Sequence, residues 1–340
     1  MFLDQQGLIL GEVKRLNKSI KIFINYVLAP LLFAWLVYSV YRSILTQPDL
    51  PLYLNIVYKR IDAYAFLLLI CLVLLMLLQW VVEAKKWQTF LSDDISFSLL
   101  ASLKMIFTGI SFSLATPNRI GEFVGRVLHL PATLRVQATG YTFVGNFAQL
   151  VATSVAGSVG LLMYGSHFNE IGFTTFNGLI KLLSYLAPIC SLLLLLVYFK
   201  AGVFFSWVAR ITWLGSWKSK FMHLSSLSIN KLIQVFWWSL FRYSIFIVQY
   251  WLIFNIVGID LDILPTFIGI SIMLFLLSIM PTISLVELGL RWQVSILVFA
   301  PFTNNAFGLT MATTLIWLLN LVVPAAMGTL LMLGKKRAYH

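Results

Sequence analysis

Two stretches of this chain carry charge beside proline and glycine, next to long apolar runs. One is Pro117-Asn118-Arg119-Ile120-Gly121-Glu122-Phe123-Val124-Gly125-Arg126, the other Pro281-Thr282-Ile283-Ser284-Leu285-Val286-Glu287-Leu288-Gly289-Leu290-Arg291. Glu122 and Arg126 are four apart, as are Glu287 and Arg291, so on a helix each pair shares a face and can join. Arg119 stands three before Glu122. An arginine fork matches phosphate oxygens, and a carboxylate can meet an ammonium group or exchange a proton. Ionisable side chains at membrane depth cost about 2.5–3.5 kcal/mol each on insertion scales, which marks both motifs as functional candidates. The competing reading is a pair of structural ion pairs, because buried pairs also serve to fix register. Gly121 and Gly125 form a Gly-x-x-x-Gly, a pattern that favours close helix contact. Asn118 in the first motif, and Asn146 and Gln149 in the apolar run that follows, either bond neighbouring helices or line a cavity.

The composition places these motifs in a membrane. Of 340 residues, 60% are hydrophobic and 11% charged, the mean hydropathy is +0.91, and several runs reach the ~20 apolar residues that span a bilayer. Without period-2 alternation, the fold class is all-α, a polytopic helical membrane protein. The net charge of +12 gathers at segment ends, which fits cytoplasmic loops and anionic lipid and argues against nucleic acid. Cys71 and Cys190 lie inside apolar runs and read as buried small residues. The four histidines lack metal-ligand spacing, and no phosphate-binding loop, dinucleotide fingerprint or catalytic triad occurs. The sequence therefore assigns no catalytic residue, no metal and no cofactor.

Six full spans are expected, at 22–41, 64–82, 138–163, 179–199, 236–257 and 305–333, with 42–63 as a loop. Lys85, Lys86 and Trp87 read as an interface anchor after the second span. Residues 200–235 carry five basic and no acidic residues and read as a basic amphipathic cytoplasmic connector. The basic lead 1–21 and the tail Lys335-Lys336-Arg337 place both termini in the cytoplasm. Segments 97–116 and 263–300, the latter broken at Pro281, are too interrupted for simple spans. Counting crossings makes 97–116 a hairpin limb entering from the cytoplasm; 263–280 and 282–300 are either two short spans or a hairpin, and a repeat would make 263–280 the counterpart limb from outside; eight or nine spans are the other arrangement. Two interrupted segments at corresponding places point to an inverted repeat with its site where the interruptions meet. The expected organisation is a single transmembrane domain, 1–340, with halves near 22–163 and 179–333.

The run Pro-x-Arg-Ile-Gly-Glu with Arg126 four residues on resembles the lysylphosphatidylglycerol synthase transmembrane-region family, the flippase-like family. Asn118 stands where that motif usually has glycine. The stretch ending Glu287-Leu288-Gly289-Leu290-Arg291 is similar to its second motif, with the glutamate before the glycine instead of after it, and Lys86-Trp87 resembles its basic-Trp element. The resemblance implies a translocator of polar-headed lipid in a bacterial inner membrane. The lipid would be an anionic or aminoacylated phospholipid, or a polyprenyl-linked or related glycolipid. The candidate substrate contacts are Asn118, Arg119, Glu122, Arg126, Asn146, Glu287 and Arg291. The chain reads as the family's membrane half without a soluble aminoacyl-transferase domain, compatible with a homo-oligomer and with a separate lipid-modifying enzyme. The second hypothesis is an integral-membrane transferase acting on a lipid-linked substrate, with Glu122 or Glu287 as general base.

Overall fold

The computed structural model describes residues 50–60, 62–92, 95–114, 116, 119–168, 177–208, 224–225, 227–280 and 284–333, with positions 38, 41, 42 and 45. The expected first span lies almost wholly outside these residues. So do the basic lead, the basic tail, the middle of the connector, and Pro117, Asn118 and Pro281.

Every regular element among the described residues is helical. Five helices are long and apolar enough to cross a membrane: Ala63–Leu91, Arg135–Tyr164, Lys181–Phe199, Ile229–Ile256 and Ala306–Met332. In chain order the elements are α1 (Leu50–Lys59), α2 (Ala63–Leu91), α3 (Leu99–Leu114), α4 (Gly121–Val127), α5 (Arg135–Phe168), α6 (Asn177–Phe199) and α7 (Ala201–Val208). Then come α8 (Ile229–Ile256), α9 (Ile263–Ile279), α10 (Ser284–Phe299), α11 (Ala306–Trp317) and α12 (Val323–Leu333). A π-helical turn, Leu318–Val322, joins the last two.

Three boundaries depart from the sequence expectation. The segment 42–63 is not all loop, since α1 occupies ten of its residues. Pro51 sits in the first turn of α1, where a missing N–H costs nothing. The connector ends earlier than 235, because Ser228 caps α8 through the Lys231 N–H. Most consequentially, α2 does not stop at residue 82 but runs on to Leu91, taking Glu83, Lys86 and Trp87 into the interior. Lys86 and Trp87 are each 2% exposed, so neither is the interface anchor expected of it. Cys71 is half-buried and Cys190 exposed, on the outer face of α6.

Helices α2 and α8 are antiparallel neighbours. Arg60, just before α2, bonds Asn255 O near the end of α8; Glu83 meets Arg242; Lys86 reaches Ser239. Arg60 also pairs with Asp260 at 2.7 Å, so the 42–63 and 258–262 segments meet at one end of the bundle.

The short helices wedge between long ones where glycine permits. A Cβ on Gly125 would stand 2.6 Å from Gly109 Cα, and one on Gly121 2.2 Å from Phe112 O, so α4 lies directly on α3. A Cβ on Gly328 would stand 2.0 Å from Phe107 O, which sets α12 against the other side of α3. On α5, Gly157 faces Phe275 and Gly160 faces Ser271, which seats α9. The order long, short, short, long thus recurs in α2–α5 and in α8–α12. At 1.5 Å per residue α3 and α9 are about 25 Å long, short of the ~30 Å hydrocarbon core.

Two apolar cores are stacked along the bundle. One gathers Trp87, Phe90, Ile106, Val151 and Val235. The other gathers Leu72, Ala156, Tyr250, Ile270 and Phe299. Along α5 the change falls between Val151 and Ala156, and along α8 between Val235 and Tyr243. Polar side chains occupy that layer.

Candidate functional site

The first polar cluster is built on Glu83, whose side chain is 1% exposed. Its carboxylate accepts from Arg126 at 2.8 Å and from Arg242 at 2.9 Å, with Lys86 Nζ at 3.0 Å. Three helices therefore meet on one carboxylate: α2 supplies Glu83 and Lys86, α4 supplies Arg126 and α8 supplies Arg242. An unpaired charge in such a place would be several kcal/mol unfavourable, and mutual pairing removes most of that cost. Arg126 also reaches Glu122 at 2.5 Å, the i, i+4 pair read from the sequence. The guanidinium of Arg242 lies over Trp80, 5.1 Å from the ring centroid, and that of Arg126 lies 5.6 Å from Trp87. The indoles pack the flat faces of the forks.

The second cluster is built on Glu287. Arg291 donates to it at 2.6 Å, again the expected i, i+4 pair. Arg119 donates both a 2.8 Å and a 3.0 Å bond to the same carboxylate. Arg119 thus passes over its near neighbour Glu122 to join the second motif, 168 residues on. Its backbone is left-handed, with φ 57°, a region that disfavours a side chain with a Cβ. The turn between α3 and α4 holds this strain and aims Arg119 across the gap between the motifs.

Both clusters open into one polar space. A cavity of about 560 Å³ is lined by Arg119, Glu122, Arg126, Asn146, Arg242 and Arg291, among others. A second, of about 720 Å³, is lined by Glu287 and shares Arg119, Gln149, Thr153, Arg242, Phe246, Ser278 and Arg291 with the first. The two are lobes of one space that meet at the arginines. The floor carries a buried amide cluster: Gln79 Nε2 donates to Asn320 Oδ1, and Asn320 Nδ2 donates to Gln249 Oε1 at 2.8 Å. Asn320 lies in the π-helical turn, an irregularity common where a helix serves a site. The lining also includes exposed apolar side chains: Phe143 is 50% exposed, Ile279 61% and Met280 39%.

Of the residues read from the sequence, Arg119, Glu122, Arg126, Asn146, Glu287 and Arg291 come together around this space. Asn118 lies outside the described residues. Gln149 does what a buried amide in a span was expected to do, donating to Ser239 O at 3.3 Å. Gly121 and Gly125 serve packing. Sequence reasoning missed Glu83, Lys86, Arg242, Gln79 and Asn320. Arg242 carried a usable signal as the lone charge inside an expected span. Glu83 carried a weaker one, as the single acid in a long apolar helix. No group of three His, Cys, Asp or Glu side chains suited to a metal occurs among the described residues.

A family model described as the lysylphosphatidylglycerol synthase TM region matches residues 22–328. No curated protein and no solved structure matches the chain. The family match covers both motifs, four of the five long helices and most of the fifth, and the chain belongs to that family. It is an integral membrane protein of lipid metabolism or transport.

Proposed function

We propose that this member of the lysylphosphatidylglycerol synthase transmembrane-region family moves a polar-headed phospholipid or glycolipid between leaflets. The headgroup enters the charged cavity while the acyl chains stay outside in the bilayer. One observation carries this reading: the ionisable side chains of both motifs line one space whose lining also includes exposed apolar side chains. A soluble solute needs a wet mouth, whereas a lipid needs a polar interior beside a greasy lateral edge. Arg242, near the middle of α8, puts the polar layer near half-depth, where transporters hold their sites.

The same reading takes α2–α5 and α8–α12 as inverted repeats. Antiparallel packing of the leading helices α2 and α8 supports it. So does the exchange of partners, α3 against the last helix of the second half and α9 against the last helix of the first. On this reading α3 and α9 are limbs that enter from opposite faces, and Arg119, Glu122, Arg126, Asn146, Glu287 and Arg291 meet the headgroup. The Arg119–Glu287 bridge is the contact that breaks when the cavity changes sides.

The test is leaflet exchange of fluorescent phospholipid by the purified protein in liposomes, read by chemical quenching of the outer leaflet. The wild-type chain should speed exchange without generating a new lipid species. Glu122→Gln should insert and express near normally, because Arg126 keeps Glu83, yet lose exchange. Expression and exchange falling in parallel would favour a purely structural ion pair. A new lipid product would favour the transferase.

A further inference from the structure

We infer that the cavity selects an anionic headgroup, with its phosphate seated against the edges of Arg126 and Arg242. This rests on the translocation reading and names the substrate class of the same site. The charge balance is the first support. Four guanidiniums (Arg119, Arg126, Arg242, Arg291) and two carboxylates (Glu122, Glu287) line the two lobes, an excess of two positive charges. Behind the wall Glu83 and Lys86 offset each other. Uncompensated positive charge at membrane depth is unfavourable, and an anion entering the space relieves it. A cationic headgroup adds to the excess.

The donor pattern is the second, independent support. Arg126 Nε, Arg242 Nε, Trp80 Nε1 and Trp317 Nε1 are buried N–H groups with no hydrogen-bond partner among the described residues. All four side chains line the same lobe. A buried unsatisfied donor costs about 1–3 kcal/mol, so four in one lobe mark a place built for an acceptor. Among the described residues, Gln149 Oε1 is the only buried unpartnered acceptor in that lining. Glu83 and Glu122 both accept from Nη2 of Arg126, and Glu83 accepts from Nη1 of Arg242. This holds both guanidiniums in place, and their Nε–H groups, buried in the wall of the lobe, are donors left without a partner among the described residues. Phosphate has the oxygens to receive them, and the indoles supply the apolar flank.

The experiment is calorimetric titration of the full chain in detergent with dihexanoyl-phosphatidylglycerol, dihexanoyl-phosphatidylcholine and inorganic phosphate. Phosphatidylglycerol should bind at least about tenfold more tightly than phosphatidylcholine, the scale of one charge-assisted contact. Arg242→Gln should weaken phosphatidylglycerol by about tenfold. Arg242→Lys keeps a charge beside Glu83 and so protects the fold; losing the fork and its Nε–H should still weaken the lipid about fivefold. Equal binding of the two lipids, or no change in either variant, overturns the inference. Inorganic phosphate binding as tightly as the lipid assigns the site to a free oxyanion and overturns the headgroup. Exchange in liposomes is read separately. Charge-selective binding without exchange contradicts translocation and leaves this site standing; exchange without charge preference does the reverse.

Discussion

The Glu83 and Glu287 clusters use the same chemistry at different degrees of enclosure. At Glu83 one carboxylate holds three cations from three helices, with side chains 1% (Glu83), 3% (Lys86), 4% (Arg126) and 16% (Arg242) exposed. At Glu287 one carboxylate holds two cations, and Arg119, the one that crosses between the motifs, is 44% exposed. The first arrangement is enclosed: three cations from three helices converge on one carboxylate away from water. The second is poised, because Arg119 can find water or a ligand when it leaves, and its strained backbone lowers the cost of leaving. On the proposed function, the difference separates a fixed anchor from the contact that opens.

That contrast can be broken experimentally, beginning with the anchor. Glu83→Gln leaves three cations facing one another in the interior, and breaking a buried ionic partnership costs about 3–5 kcal/mol. It should abolish expression of folded protein, read by monodisperse detergent extraction; normal yield would show that the cluster is not the anchor. Gly125→Ala tests the rigid backing of the same region. Its new methyl meets Gly109, and overpacking of this kind costs about 1–3 kcal/mol, which should lower the thermal midpoint without changing which lipids bind. The smallest effect on stability belongs to Arg119→Gly. Relief of left-handed strain, about 1–2 kcal/mol, offsets loss of a half-exposed bridge of about 0–1 kcal/mol. The thermal midpoint should stay put while lipid exchange changes. A large fall in stability would make Arg119 part of the anchor.

The sequence disclosed the charged motifs because charge beside proline and glycine is conspicuous in apolar surroundings. Five of the six expected spans correspond to long helices for the same reason, since run length is a local property. The Glu83 cluster was hidden because burial is not local. Glu83, Lys86 and Trp87 at the end of an apolar run have the composition of an interface, and only the approach of Arg126 and Arg242 makes them interior. Arg119 shows the same limit: spacing offers Glu122 as its partner, and the fold gives it Glu287. Gln79, Gln249 and Asn320 meet across three helices, and no spacing in the chain announces that contact.

The central claim is that lipid passes through the shared cavity by opening the contact between the two motifs. It is tested most directly by Arg119→Cys with Glu287→Cys, with Cys71 and Cys190 replaced, in liposomes carrying labelled phosphatidylglycerol. A reducible cross-linker should tie the motifs together. The account predicts that the cross-linked protein stops exchanging lipid and that reduction of the same sample restores the rate. Exchange that continues unchanged with the motifs tied would contradict it.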